Sequence, residues 1–207
     1  MKKAFVLLLV FLMMGSIAYA KKGGKTTSKP ESKITEAKST LPAKAKDAKE
    51  LKMISEKKVK ELEAENKERK GAEKEVYKNQ NEVRLAVHNL LAMEKMLGGI
   101  GPKVSAIARS FNNSVKKTID AETRIKKKGR VSKFFTGGDR EAAKDLEKEV
   151  GVEYELLRGL KDLTNKVETG IEAKKKMEEQ VQVIEREVKR LKTVAEEEMK
   201  KMGVLGK

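Results

Sequence analysis

The sequence predicts an all-α protein, an antiparallel helical bundle or set of coiled-coil hairpins with about four long helices. Three observations predict it. Apolar residues recur at alternating steps of three and four, the period of one helix face. Composition favours Ala, Leu, Glu, Lys and Met, whose side chains lose little freedom in a helix. Only 4% of residues are aromatic and only three are Pro, so the runs a β-sandwich needs are scarce.

The first helix is expected from about Ala48 to Leu97, with Asp47 as its N-cap. Val76, Val83, Leu90 and Leu97 repeat every seven residues, interleaved with Asn79, Ala86 and Met93, which makes a coiled-coil seam. Asn79 is the polar seam position expected to set register. Carried back, the seam meets Ala72, Arg69, Glu65 and Leu62, so the first half either protrudes or frays. Gly98 to Pro102 ends this helix, and so short a link implies an antiparallel neighbour.

The second helix is expected over Pro102 to Lys128, with a stripe of Val104, Ile107, Phe111, Ser114, Thr118, Ala121 and Ile125. Ala108, Val115 and Ile119 widen it, as suits a helix facing two neighbours. After a link over residues 129–138, Asp139 caps a third helix carrying Leu146, Val150, Leu157, Leu160, Leu163 and Val167. A fourth carries Met177, Val181, Ile184, Val188, Leu191 and Ala195. The turn between them is placed at Thr164-Asn165, with Gly170 as the competitor; without a break the two would form one rod. Gly203 and Gly206 close the chain in a short frayed tail.

Ahead of the helices stand two other segments. Met1-Lys2-Lys3, the apolar run Ala4 to Met14, and Ala18-Tyr19-Ala20 have the three parts of a secretory signal in order. Export is therefore expected, to a periplasmic or secreted location, with cleavage after Ala20. The alternative is an uncleaved anchor, against which the run falls short of the ~20 residues of a membrane span. Residues 21–46 hold Gly, Ser, Thr, Pro and Lys with few large apolar side chains, and are expected to form a disordered basic tether. The domain plan is thus 1–20 signal peptide, 21–46 tether, and 47–207 helical domain. In the last, 47–75 is a weak extension and 76–202 the bundle.

Net charge is +16, and loss of Lys2 and Lys3 with the signal leaves +14. Residues 21–58 hold twelve Lys and five acids, so half of that excess lies near the N-terminus. A basic excess suits anionic lipid or an acidic wall polymer, or serves solubility alone. Nucleic acid is disfavoured, because no aromatic platform interleaves with the basic residues.

Little catalytic chemistry is legible. Without Cys there are no disulfides, thiolate metal sites or Cys nucleophiles. His88 is the single histidine, and its heptad position puts it on the outer face. A di-metal carboxylate bundle needs two Glu-x-x-His pairs, but Leu85 stands three residues before His88. Metal and cofactor sites are accordingly not expected. The carboxylates, such as Glu63, Glu65, Glu68, Glu178, Glu179 and Glu196 to Glu198, alternate with Lys as solvated helix faces do. Glu185 to Lys189 and Glu56 to Lys60 are examples. Gly98 to Gly101 lacks the Gly-Lys-Ser/Thr of a phosphate loop.

One stretch combines charge and aromatic side chains: Arg124, Lys126, Lys127, Lys128, Arg130, Lys133, Phe134 and Phe135. Basic side chains with apolar wedges dock to anionic membranes. The other fate of Val131, Phe134 and Phe135, ordinary for large apolar residues, is to plug the end of the bundle.

The segments LLAME, GGIGPKVSAIARSFNNSV and FFTGGD, within Asn81 to Asp139, resemble a set of exported helical proteins found mostly in archaea. That resemblance implies an exported helical module and no catalytic residue, since no activity is assigned to the set. The Lys-rich surface here departs from it and puts a shared ligand in doubt. The function expected is a non-enzymatic interaction or scaffold protein of the cell envelope, binding another envelope protein or itself. The alternative is a peripheral membrane-binding module led by residues 124–135.

Overall fold

The computed structural model describes residues 42–128 and 139–203, with side chains as far as Lys201. Among the described residues five α-helices follow one another: α1 Ala48–Glu68, α2 Gly71–Ala92, α3 Gly101–Lys127, α4 Arg140–Thr164 and α5 Ile171–Gly203. Among the described residues there is no strand. The expected all-α bundle is therefore the fold. The signal segment, the tether as far as residue 41, the 129–138 link and the last four residues lie outside the described residues.

Helices α2, α3, α4 and α5 pack in a ring, each against the next and α5 back against α2. The directions alternate. Glu75 at the start of α2 meets Lys126 at the end of α3, and Arg124 on α3 meets Asp145 near the start of α4. Asn89 near the end of α2 meets Gln180 near the start of α5. The apolar stripes line the ring's interior. On α5, Met177, Val181, Ile184, Val188, Leu191 and Ala195 are all buried, and Phe111 and Leu90 are the largest side chains fully enclosed. Ile107 and Leu163 from the expected stripes are only half-buried. At ~25 cal/mol per Å2 of apolar surface, such stripes are the main stabilising contribution.

The first helix departs from expectation in two ways. It is broken rather than continuous to Leu97. Arg69 and Lys70 take extended backbone, and Gly71 sits at φ +56°, a left-handed conformation that L side chains adopt at a cost. It also neither protrudes nor frays, because α1 turns back antiparallel onto α2. The charged seam positions explain this. Arg69 lies over the Tyr77 ring, 3.4 Å from its centroid, and pairs with Glu65 at 2.5 Å and with Glu73. Arg84 takes the other Glu65 oxygen at 2.5 Å. Charge placed in the seam is thus satisfied by ion pairs, within α1 and across to α2.

Residues 42–46 belong to this fold rather than to a tether. Ala45 is fully buried, its N–H donates to the Ala92 carbonyl at 2.8 Å, and Lys44 pairs with Glu94. Asp47 then caps α1 by accepting from the Glu50 N–H, while Glu50 accepts from the Lys46 N–H.

Between α2 and α3 the helix ends at Ala92, five residues earlier than expected, and Met93, Met96 and Leu97 are buried in the turn. Gly101 is required there by space. A Cβ on it would lie 1.9 Å from the Glu94 carbonyl oxygen. Between α4 and α5 the break falls over residues 165–170, so the expected turn at Thr164-Asn165 and its competitor Gly170 bound one link.

Candidate functional site

The most unusual feature of the bundle is a polar layer at its centre, to which all four ring helices contribute. Glu122 on α3 is fully buried. Its Oε1 and Oε2 accept from Arg190 Nη1 and Nη2 on α5, at 2.8 and 2.7 Å. Gln80 on α2 donates to Glu122 Oε2 at 3.0 Å, and Thr118 on α3 donates to Gln80. Arg190 also holds Glu187, one turn before it, at 2.8 Å through Nε and 2.7 Å through Nη2. Four donor contacts to two carboxylates engage all three guanidinium nitrogens.

On the α4 side, Glu149 accepts from the Ser114 hydroxyl at 3.1 Å and from Lys117 at 2.9 Å. Glu153, one turn further along α4, has no cation beside it among the described residues. It is 1% exposed and its Oε1 accepts no hydrogen bond. Burial pushes its carboxyl up to about 8, and the nearby charges of Glu187 and Glu149 act in the same sense. The Ser114 hydroxyl draws it back only in part. Burial also raises Glu187, in spite of Arg190. At neutral pH Glu153 therefore holds a proton where other carboxylates here hold a cation.

The reading of the carboxylates as solvated fails for Glu198, which it named, and does not extend to Glu122, Glu149, Glu153 and Glu187 of this layer; all five are buried. That reading fits elsewhere, as in the 2.8 Å pair of Glu185 and Lys189. The register residue is also different. Asn79 faces solvent, and the neighbouring Gln80 enters the core. His88 is not on a free outer face, because α1 covers that side of α2. Burial, reinforced by Lys58, pushes its imidazole down to about 4.

The basic stretch read from the sequence is divided. Arg124 pairs with Asp145 at 2.9 Å and with Asp139 and Glu141 at 3.7 Å, and Lys126 pairs with Glu75 at 2.7 Å. These two side chains staple helices together. Lys127 is exposed and Lys128 half-buried. Arg130, Lys133, Phe134 and Phe135 lie outside the described residues.

A surface recess of about 380 Å3 is lined by Lys116, Lys117, Asp120, Ala121, Asp145, Lys148 and Glu149. It holds equal numbers of acids and lysines and so presents no single sign of charge. Among the described residues, no three His, Asp or Glu side chains are grouped to hold a metal ion, and no helix is long and apolar enough to cross a membrane.

The chain matches no family model, no curated protein and no solved structure. The resemblance over Asn81 to Asp139 thus stands on its residues alone.

Proposed function

We propose that this protein is an exported, non-enzymatic interaction or scaffold protein of the cell envelope, built to associate through its helical surfaces. One observation carries the reading. The carboxylates of the central layer, with Glu153 as the exception, are spent on the bundle's own donors, Glu122 and Glu187 on Arg190, and Glu149 on Lys117 and Ser114. Such pairing fixes which helix faces which, the best-attested use of buried polar groups. Catalysis needs polar groups converging on a space that a substrate can enter. Here they converge on each other.

The export part of the proposal rests on Met1 to Ala20, and the basic excess gives acidic envelope material as a secondary partner. The membrane-docking alternative loses two of its basic side chains, Arg124 and Lys126, to helix–helix pairs.

The test is crosslinking in living cells, followed by identification of what is attached, together with sedimentation equilibrium. Recovery of a discrete envelope protein or of further copies of this chain is expected. A strict monomer at high concentration that captures no protein would overturn the proposal.

A further inference from the structure

The α1 arm is held differently from the rest of the fold. Of its 21 residues only Leu51 and Leu62 are buried, whereas α4, of similar length, buries nine. Ala48 and Ile54 add partly buried apolar contact, and the other fastenings are polar. They are the Lys44–Glu94 pair, the Glu65 bridge to Arg69 and Arg84, and a long 3.4 Å contact of Asn89 with Ser55. Three buried polar atoms at this interface lack partners: Asn66 Oδ1, Arg69 Nε and Asn89 Oδ1. A segment with so little apolar burial opens at lower free energy than the core it rests on.

The connection to α2 is just as distinctive. Two extended residues and a left-handed Gly71 interrupt a sequence that otherwise favours one helix. Glu61 to Gln80 contains no Pro, and helix formers flank the break on both sides. Straightening Arg69, Lys70 and Gly71 would join α1 to α2 as a single rod over residues 48–92, roughly 70 Å long at ~1.5 Å per residue. Such a rod can no longer cover its own α2.

We infer that α1 is an exchangeable arm whose second partner is another copy of this chain: two straightened rods lie antiparallel, and each arm packs on the other copy's α2. The geometry permits a closed pair. In the folded-back state α1 is antiparallel to α2, as the Ala45–Ala92 and Glu65–Arg84 contacts require. In the exchanged pair a two-fold axis passes between the two hinges and restores every α1–α2 contact. Exchange of identical elements needs no new surface, and short hinges favour it. This inference rests on the self-association part of the proposed function and names its surface.

The absence of cysteine from the chain provides a clean test. Ser55→Cys and Asn89→Cys place one thiol on the arm and one beneath it, and a short bifunctional thiol reagent joins them. The chain is purified as the cell makes it, treated over a range of concentrations, and run on a denaturing gel beside sedimentation analysis. Joining between chains, rising with concentration, is expected. Adding Gly71→Ala burdens the folded-back hinge in both copies and lowers the dimer dissociation constant at least about tenfold. A four-residue Gly/Ser insertion after Lys70 relaxes the hinge and leaves a monomer joined within the chain.

A dimer joined only within each chain would overturn arm exchange and leave self-association standing. A monomer at every concentration, with and without Gly71→Ala, would remove both. Should Gly71→Ala fail to fold, equal joining between chains with and without the insertion would equally overturn the inference.

Discussion

Arg190 grips Glu122 through both terminal guanidinium nitrogens, at 2.8 and 2.7 Å, across the width of a bundle in which Glu122 has no access to solvent. Removing Arg190 leaves Glu187 without its cation and Glu122 with only Lys126, 3.8 Å away. Arg190→Met should cost about 3–5 kcal/mol, the usual penalty for breaking a buried pair from one side. The triple replacement of Glu122, Glu187 and Arg190 by Leu, Leu and Met should recover most of that loss. Urea midpoints at pH 7 decide it. A loss below about 1 kcal/mol for the single variant would mean that the pair is solvated in solution.

Glu153 gives the stability a pH dependence of definite sign. Its folded pKa, about 8, lies above the ordinary carboxylate range, so the folded chain binds a proton that the unfolded chain has released. This contribution is fully present below the unfolded pKa, near 4.5. It falls by about 1.4 kcal/mol per pH unit between the two values and is flat above the folded one. Glu153→Gln keeps the shape and has no proton to lose. The variant should gain stability relative to wild type as pH rises from 5 to 8, and hold a constant gain beyond it. Parallel stability–pH curves for the two proteins would refute the assignment.

The two glycines flanking Ile100 separate space from sequence preference. An added Cβ at Gly101 meets the Glu94 carbonyl at 1.9 Å, while at Gly99 it meets nothing within 4 Å. Gly101→Ala should cost about 1–3 kcal/mol as the turn is forced open. Gly99→Ala should be neutral or slightly stabilising, because it restricts the unfolded chain. Thermal midpoints read both, and equal shifts would deny the close approach.

Hydrogen exchange should divide the molecule along the α1–α2 boundary. Amides of Ala48–Glu68 are expected to exchange through local opening, while those of α4 and α5 exchange only near global unfolding. Asp47→Ala removes the cap on the Glu50 N–H. It should accelerate exchange in α1 about fivefold, the equivalent of ~1 kcal/mol, and leave α4 unchanged. Equal acceleration throughout would show that α1 and the ring unfold as one unit.

Much of this fold was written in apolar spacing. The α5 stripe from Met177 to Ala195 is buried at every position read from the sequence. What spacing could not supply was the fate of the charges. A Glu four residues from a Lys looks the same on a solvated face and beside a neighbouring helix. Glu122 and Glu187 therefore gave no local signal. Glu153 did leave one. The α4 stripe steps by four and three except for a gap of seven from Val150 to Leu157, and Glu153 fills the missing position. The α1 break was illegible for another reason. No residue there forbids helix, and the turn is held by Arg69 stacking on Tyr77 and Arg84 bonding Glu65, contacts that exist only once the chain has folded back.

The threefold engagement of Arg190 also has a consequence for descent. Loss of the arginine strands Glu187 and leaves Glu122 only the more distant Lys126, whereas loss of one acid leaves the other still matched. Drift at this layer is therefore directional. In any lineage that keeps the bundle, Glu122 or Glu187 can change first, and Arg190 can change only after both. Ancestral reconstructions that place the arginine's disappearance ahead of either glutamate would be at odds with the packing of this core.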